Sequence, residues 1–378
     1  MKTIISGSKR RSWAVLLAAL AALSILFGIT AASGEGARVL LAFRHINGYW
    51  LLPAALCQCA VYACVGAIIA SGLSGNARKP DAPYLLYVAF AFLFANRALP
   101  GPAIAGLAVL TWLLGKRGIA VSMAHAAAAV FYLADYVSFF VLGAIALYSL
   151  APHLPLPLQR IIAVAGSLIL AGLIAVTIFT IALSRNNGAV KPKSDRGEAE
   201  ACKGQSAGKV ANEERGHTIS GLRKRWPRWT ERPGISKSII RIQGAWTGFI
   251  EQWQKISARP GPIGIACIAG LFMHSFEAAT LMCAARAFGS PIDFTTTAAA
   301  YVAANLAAIV SFLPGGAGFF EGAMIATMCY GAKMPVAAAV ATAALYRLLS
   351  IWLPAPSLLG LISQAQEGLT AEVDNTHG

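Results

Sequence analysis

Charge is scarce in this chain. Asp, Glu, Lys and Arg make up 12% of its 378 residues, about half the share usual in a soluble globular domain. Only 16 of them are acidic, against 31 basic. Hydrophobic residues account for 57% of the chain, and its mean hydropathy is +0.62. A water-exposed surface cannot be built from so few charges, which excludes a soluble globular fold. The seven cysteines (Cys57, Cys59, Cys64, Cys202, Cys267, Cys283 and Cys329) form no CxxC pair, which excludes a zinc ribbon and argues against a disulfide framework. No Walker motif, GxSxG or HExxH occurs, so phosphate-binding loops, nucleophile elbows and zincin sites are absent. No cofactor, no metal and no catalytic residue is therefore expected.

What the chain does have is long apolar runs. Residues 13–30 read WAVLLAALAALSILFGIT and 161–183 read IIAVAGSLILAGLIAVTIFTIAL. About 20 such residues span a bilayer core of roughly 30 Å. Lys9, Arg10 and Arg11 before the first run also fit a secretory signal. That run exceeds the usual apolar length of about 7–15 residues in a signal, so an uncleaved first span is preferred.

Basic residues orient the chain. Sixteen of the 31 lie between Arg185 and Arg259, in a polar loop holding seven acids. Without a recognition motif this is not a nucleic-acid signal, and it marks a cytoplasmic loop by the positive-inside rule. Spans are predicted at about 12–32, 50–73, 120–150, 161–183, 263–288 and 336–362, with both termini cytoplasmic. Apolar positions from Ile235 to Ile256, including Trp246, Phe249 and Trp253, recur every three or four residues. They predict an amphipathic helix at about 235–256 on an anionic lipid surface.

Two further segments, 84–115 and 294–331, consist of apolar arms interrupted by ALPGPA (98–103) and FLPGGA (312–317). At about 1.5 Å per helical residue, the short arms fail to cross the bilayer. Each segment is read as a re-entrant hairpin broken at Pro100 and Gly101, or at Pro314, Gly315, Gly316 and Gly318. The first hairpin is entered from the cytoplasm and the second from outside. An all-α polytopic membrane protein with about six spans and two broken hairpins, arranged as inverted repeats, is the predicted fold. Broken segments in matching places point to a transport site at mid-membrane, although Pro and Gly also serve as plain kinks in membrane helices.

Ionisable residues within the apolar segments are few, and such residues usually mark a function. They are Asp135, Glu277, Glu321 and Arg347, with Asn96 and Arg97 beside the first break and His274 one turn before Glu277. Arg347 needs an acid or a ligand phosphate at that depth, and Glu321 is the nearer candidate, with Glu277 the alternative. A purely structural salt bridge remains open. His274 and Glu277 form HxxE, half of a helical metal site without a second half. His125 is read as a packed histidine, and Ser311 as a backbone hydrogen-bonding partner.

LPGGAGFFEG followed by ALYRLLSIWLP resembles the bacterial lysylphosphatidylglycerol synthetase/flippase transmembrane-region family. Its proline–glycine–glutamate signature and following arginine correspond to Pro314, Gly315, Gly316, Gly318, Glu321 and Arg347. The resemblance implies a multi-helix domain of the bacterial cytoplasmic membrane that moves or presents polar lipids. The soluble transferase domain of bifunctional relatives is expected to be absent, since the sequence ends close to its last expected span. Relatives carry an acid and an arginine after the first break, whereas Gly106 to Leu114 holds neither. A translocator of a polar or anionic lipid is the leading expectation. An enzyme or accessory subunit acting on a lipid-linked substrate, and an ion-coupled solute transporter, are the alternatives.

Overall fold

The computed structural model describes residues 36–74, 80–98, 102–150, 248–311 and 314–354. Among these the chain is helical throughout, with no strand. A short helix α1 (Gly36–Arg44) and a 3₁₀ turn (Gly48–Trp50) lead into α2 (Leu51–Gly72), α3 (Ala82–Ala98), α4 (Pro102–Lys116) and α5 (Val121–Leu150). After a gap come α6 (248–257), α7 (Pro260–Ala287) and α8 (Phe294–Val310). A 3₁₀ turn (Pro314–Gly316), α9 (Phe319–Ala332) and α10 (Val336–Arg347), continued by a π turn (Leu348–Trp352), follow.

Three stretches among the described residues are long and apolar enough to cross a membrane: Gly48–Gly72, Val121–Ala146 and Gly261–Ala287. Shorter apolar helices, Ala103–Lys116, Phe294–Ile309 and Val336–Ile351, accompany them. The chain is an all-α polytopic membrane protein. The expected spans at 12–32 and 161–183 lie outside the described residues, as do Pro100 and Gly101, and the expected span at 336–362 is described as far as Pro354.

Order repeats along the chain: a long helix, a short pair joined by a break, then another helix. It runs α2, α3–α4, α5 and then α7, α8–α9, α10. The two leading helices, α2 and α7, share the most extensive packing, and α5 packs on both. Small residues permit this closeness, as expected where lipid supplies no hydrophobic drive between helices. A Cβ added at Gly72 would lie 2.6 Å from the Ala127 Cα, and one at Gly270 would lie 2.9 Å from the Ala134 carbonyl oxygen. Outward faces carry Leu52, Leu56, Ile104, Ile145, Ile268 and Phe272, all exposed, because their solvent is hydrocarbon.

The described part of the amphipathic segment departs from expectation. Trp253 and Ile256 are buried in the core formed by α2–α5 and α7, with Phe249 packed beside them. Their stripe faces protein instead of lipid. Residues 235–247, with Trp246, lie outside the described residues.

Outside the apolar core, Asp293 caps α8, accepting from the Thr296 amide at 2.9 Å, the Thr296 hydroxyl at 2.7 Å and the Thr295 hydroxyl. Partial burial pushes its carboxyl upward, but these hydrogen bonds outweigh it and hold the group down at about 2. The cap's contribution is therefore present above the unfolded value of about 3.9 and is lost as pH falls through about 2. Asp293→Ala should cost about 1 kcal/mol, read as a lower melting temperature at pH 7, with the difference from wild type shrinking as the pH falls from 4 to 2.

Candidate functional site

The second break is shaped by glycine. Gly315, Gly316 and Gly318 have φ values of 63°, 68° and 83°, a region open to glycine and strained for other residues. Space is short as well: a Cβ on Gly316 would sit 2.4 Å from the Ala308 Cβ. The turn aims the Gly315 carbonyl at Arg347, whose Nη2 donates to it at 2.7 Å. It also places Glu321 in the first turn of α9. One oxygen of Glu321 accepts from the Gly318 N–H at 2.7 Å, covering a helix N-terminus where negative charge is favoured. The other accepts from Arg347 Nε at 2.6 Å. The Arg347 guanidinium lies 3.8 Å above the Phe320 ring. Side-chain exposures of 13% for Arg347 and 10% for Glu321 leave this pair at the edge of the core.

Arg97, in the last turn of α3, meets a different acid. Its Nη2 donates to Oε1 of Glu277 on α7, and its Nη1 donates to the Ser350 carbonyl at 3.1 Å. The reason lies in the sequence four residues on. Pro354 has no N–H, so the Ser350 carbonyl cannot receive its ordinary α-helical bond. The π turn presents that carbonyl to Arg97 and to the Tyr62 hydroxyl at 3.3 Å. Glu277, whose side chain is fully buried, also accepts from the Tyr346 hydroxyl at 2.7 Å, and the Gln58 amide lies 3.5 Å away. The backbone of the first hairpin touches the second break directly: a Cβ on Gly315 would lie 2.8 Å from the Arg97 carbonyl oxygen.

The structure thus brings Arg97, Glu277, Glu321 and Arg347 to the place where the two hairpins meet. Arg347 takes Glu321 and not Glu277, the alternative partner that the sequence allows. His274 and Glu277 do not converge: Nε2 of His274 lies 3.0 Å from the Asp135 carbonyl oxygen and 3.2 Å from Asp135 Oδ1, and Nδ1 lies 3.0 Å from the Tyr301 hydroxyl. No group of three or more His, Cys, Asp or Glu placed to hold a metal occurs among the described residues. Asn96 accepts from the Tyr132 hydroxyl at 3.1 Å, and its Nδ2 has no hydrogen-bond partner among the described residues. Gly106 makes room for it, since a Cβ there would lie 2.4 Å from Asn96 Oδ1. Asn96 and Arg97 thus lie in the last turn of α3, while Gly106 to Leu114 of α4 carries no charged group.

Tyr62, Gln58, Tyr301 and Tyr346 are site residues that sequence reasoning misses. A lone amide in an apolar helix is a signal for Gln58, and Pro354 is one for Ser350. The tyrosines carry no signal, because tyrosine is unremarkable in a membrane helix.

Helices apolar on all faces, two broken hairpins in matching positions and ion pairs at their meeting point define a multi-pass membrane protein of the broken-helix class. The family model described as lysylphosphatidylglycerol synthase TM region matches residues 13–357, and the chain belongs to that family. None of the curated proteins matches it.

Proposed function

We propose that this protein binds the phosphate of a lipid headgroup at Arg347 and carries that lipid across the bilayer. The family relates the chain to lipid modification or transport, and the finer reading rests on one observation: the unfilled donor set of Arg347. Its Nε and Nη2 are engaged with Glu321 and Gly315, while Nη1 has no hydrogen-bond partner among the described residues. Both Glu321 oxygens are already occupied by donors. The spare capacity is for an acceptor, and a guanidinium matches two phosphate oxygens with parallel hydrogen bonds. Arg97 and Glu277 position the first hairpin against this site. We place the protein in the bacterial cytoplasmic membrane, with its basic loop on the cytoplasmic side against anionic lipid and both termini there.

The test is headgroup-resolved translocation in proteoliposomes, comparing lipids of one acyl composition that carry either a phosphate diester or an uncharged sugar headgroup. Wild-type protein should move the phosphate-bearing lipid well above the rate in protein-free vesicles and leave the glycolipid near that rate. Equal, background-level rates for both lipids would remove the reading.

A further inference from the structure

A carrier that accumulates its lipid needs a driving force, from a gradient or a partner, and one cluster outside the headgroup site suits a proton. Asp135 on α5, His274 on α7 and Tyr301 on α8 form a hydrogen-bonded row. It spans the two repeats, since α5 belongs to the first and α7 and α8 to the second. The hydrogen positions follow from chemistry. Nε2 of His274 faces two acceptors, the Asp135 carbonyl oxygen and its carboxylate, so Nε2 carries the hydrogen. Nδ1 of the neutral ring is then the acceptor for the Tyr301 hydroxyl. A proton can be taken up at Nδ1 with one small change: the hydroxyl turns from donor to acceptor. The carboxylate opposite holds the imidazolium that results. Asp135 has 27% side-chain exposure against 4% for His274, so the carboxylate is the more accessible end of the row. The other two carboxylates of the described membrane segments, Glu277 and Glu321, are each held by an arginine.

The row also touches the headgroup site through rings. Tyr301 meets Tyr346 edge-on at 6.5 Å, Tyr346 stacks on Phe320 at 6.1 Å, and Phe320 lies under Arg347. The titratable and charged groups around the row are Asp135 on α5 and Tyr301 on α8 at the imidazole, with Glu277 one turn along α7, Arg97 on α3 and Tyr346 on α10 facing Tyr301. Of these only Asp135 and Tyr301 contact the imidazole.

We infer that His274 is the proton-binding group of this carrier, and that its protonation, held by Asp135, couples lipid movement to a transmembrane proton gradient. The coupling rests on the lipid reading above. The step is proton uptake at Nδ1 from water on one side and release to water on the other, with no other bond made or broken. One proton per lipid across one pH unit sustains up to about tenfold lipid asymmetry.

The experiment imposes a gradient of one pH unit across the same proteoliposomes and follows the phosphate-bearing lipid. Wild type should accumulate it several-fold against its distribution, and clamping the gradient to zero should erase the asymmetry. His274→Gln retains an amide hydrogen bond but cannot take the proton, so it should equilibrate lipid without accumulating it. Asp135→Asn should do the same, and carries the test should the histidine variant fail to fold. Melting of each variant in detergent separates lost coupling from lost structure. A wild type that moves lipid with no response to the gradient overturns the coupling alone. Full accumulation by folded His274→Gln overturns the assignment of the proton to this ring. A wild type that moves no lipid sinks the transport reading, and the coupling with it.

Discussion

Arg347→Ala protein should still fold, yet bind phosphate headgroups about 10- to 100-fold more weakly and move no lipid above background. The magnitude is that of one or two charge-assisted hydrogen bonds, about 1.5–3 kcal/mol. Folding should survive because the pair sits at the edge of the core and Glu321 keeps its bond to the Gly318 N–H. Glu321→Gln should also abolish movement, for a different reason. The amide can still accept from Arg347, but it no longer neutralises the guanidinium or holds it against the glycine turn. Binding should then fall far less than in Arg347→Ala, while transport is lost. The double variant should be no worse than Arg347→Ala, because the two residues act as one unit. A purely structural salt bridge predicts another pattern: lower melting for either single variant and recovery when both charges are removed. Expression, melting, headgroup binding and translocation measured on the same four proteins separate these outcomes. Normal transport by well-folded Glu321→Gln protein would falsify the functional role.

This pair is legible in the sequence because its cost makes it visible. A carboxylate beside LPGGAG, and an arginine deep in the following apolar helix, are too unfavourable in hydrocarbon to stand without a purpose. The repeated LPGxA device is legible for the same reason, since breakers rarely recur in matching apolar segments by chance. Partner choice is not. By residue type Glu277 could pair with either arginine, and a sequence carries no distances; its bond to Arg97 depends on where the end of α3 meets the second break and the π turn. The inward-facing Trp253 shows a second limit. An amphipathic period reveals that one helix face is apolar, but lipid and a protein core satisfy that face equally well. The His274–Glu277 spacing places two side chains on one side of α7, yet the offset of about 60° between positions three apart and different neighbours send them to different helices.

Glu277→Ala should be the more destructive change for the fold. Its carboxylate is fully buried and accepts from Arg97 and Tyr346. Removing it leaves the Tyr346 hydroxyl without its acceptor and the Arg97 guanidinium with the Ser350 carbonyl alone, and breaking one side of a buried pair costs about 3–5 kcal/mol. Arg97→Ala should be at least as harmful, since it leaves an anion with no exposure to water. Replacing both with apolar residues of similar volume, Arg97→Met with Glu277→Leu, removes the uncompensated charge and should restore most of the melting temperature. It should not restore lipid movement. Without the arginine nothing bridges α3 to the Ser350 carbonyl, and the first hairpin loses its tie to the π turn that follows Arg347. The contrast with Glu321 and Arg347 is the point of the experiment: loss of function with retained structure where the acid is 10% exposed, loss of structure where the acid, Glu277, has no exposure. Thermal melting of the three variants in detergent reads it directly. Wild-type melting of Glu277→Ala would show that Arg97 finds other acceptors, and that the buried pair does not hold the two hairpins together.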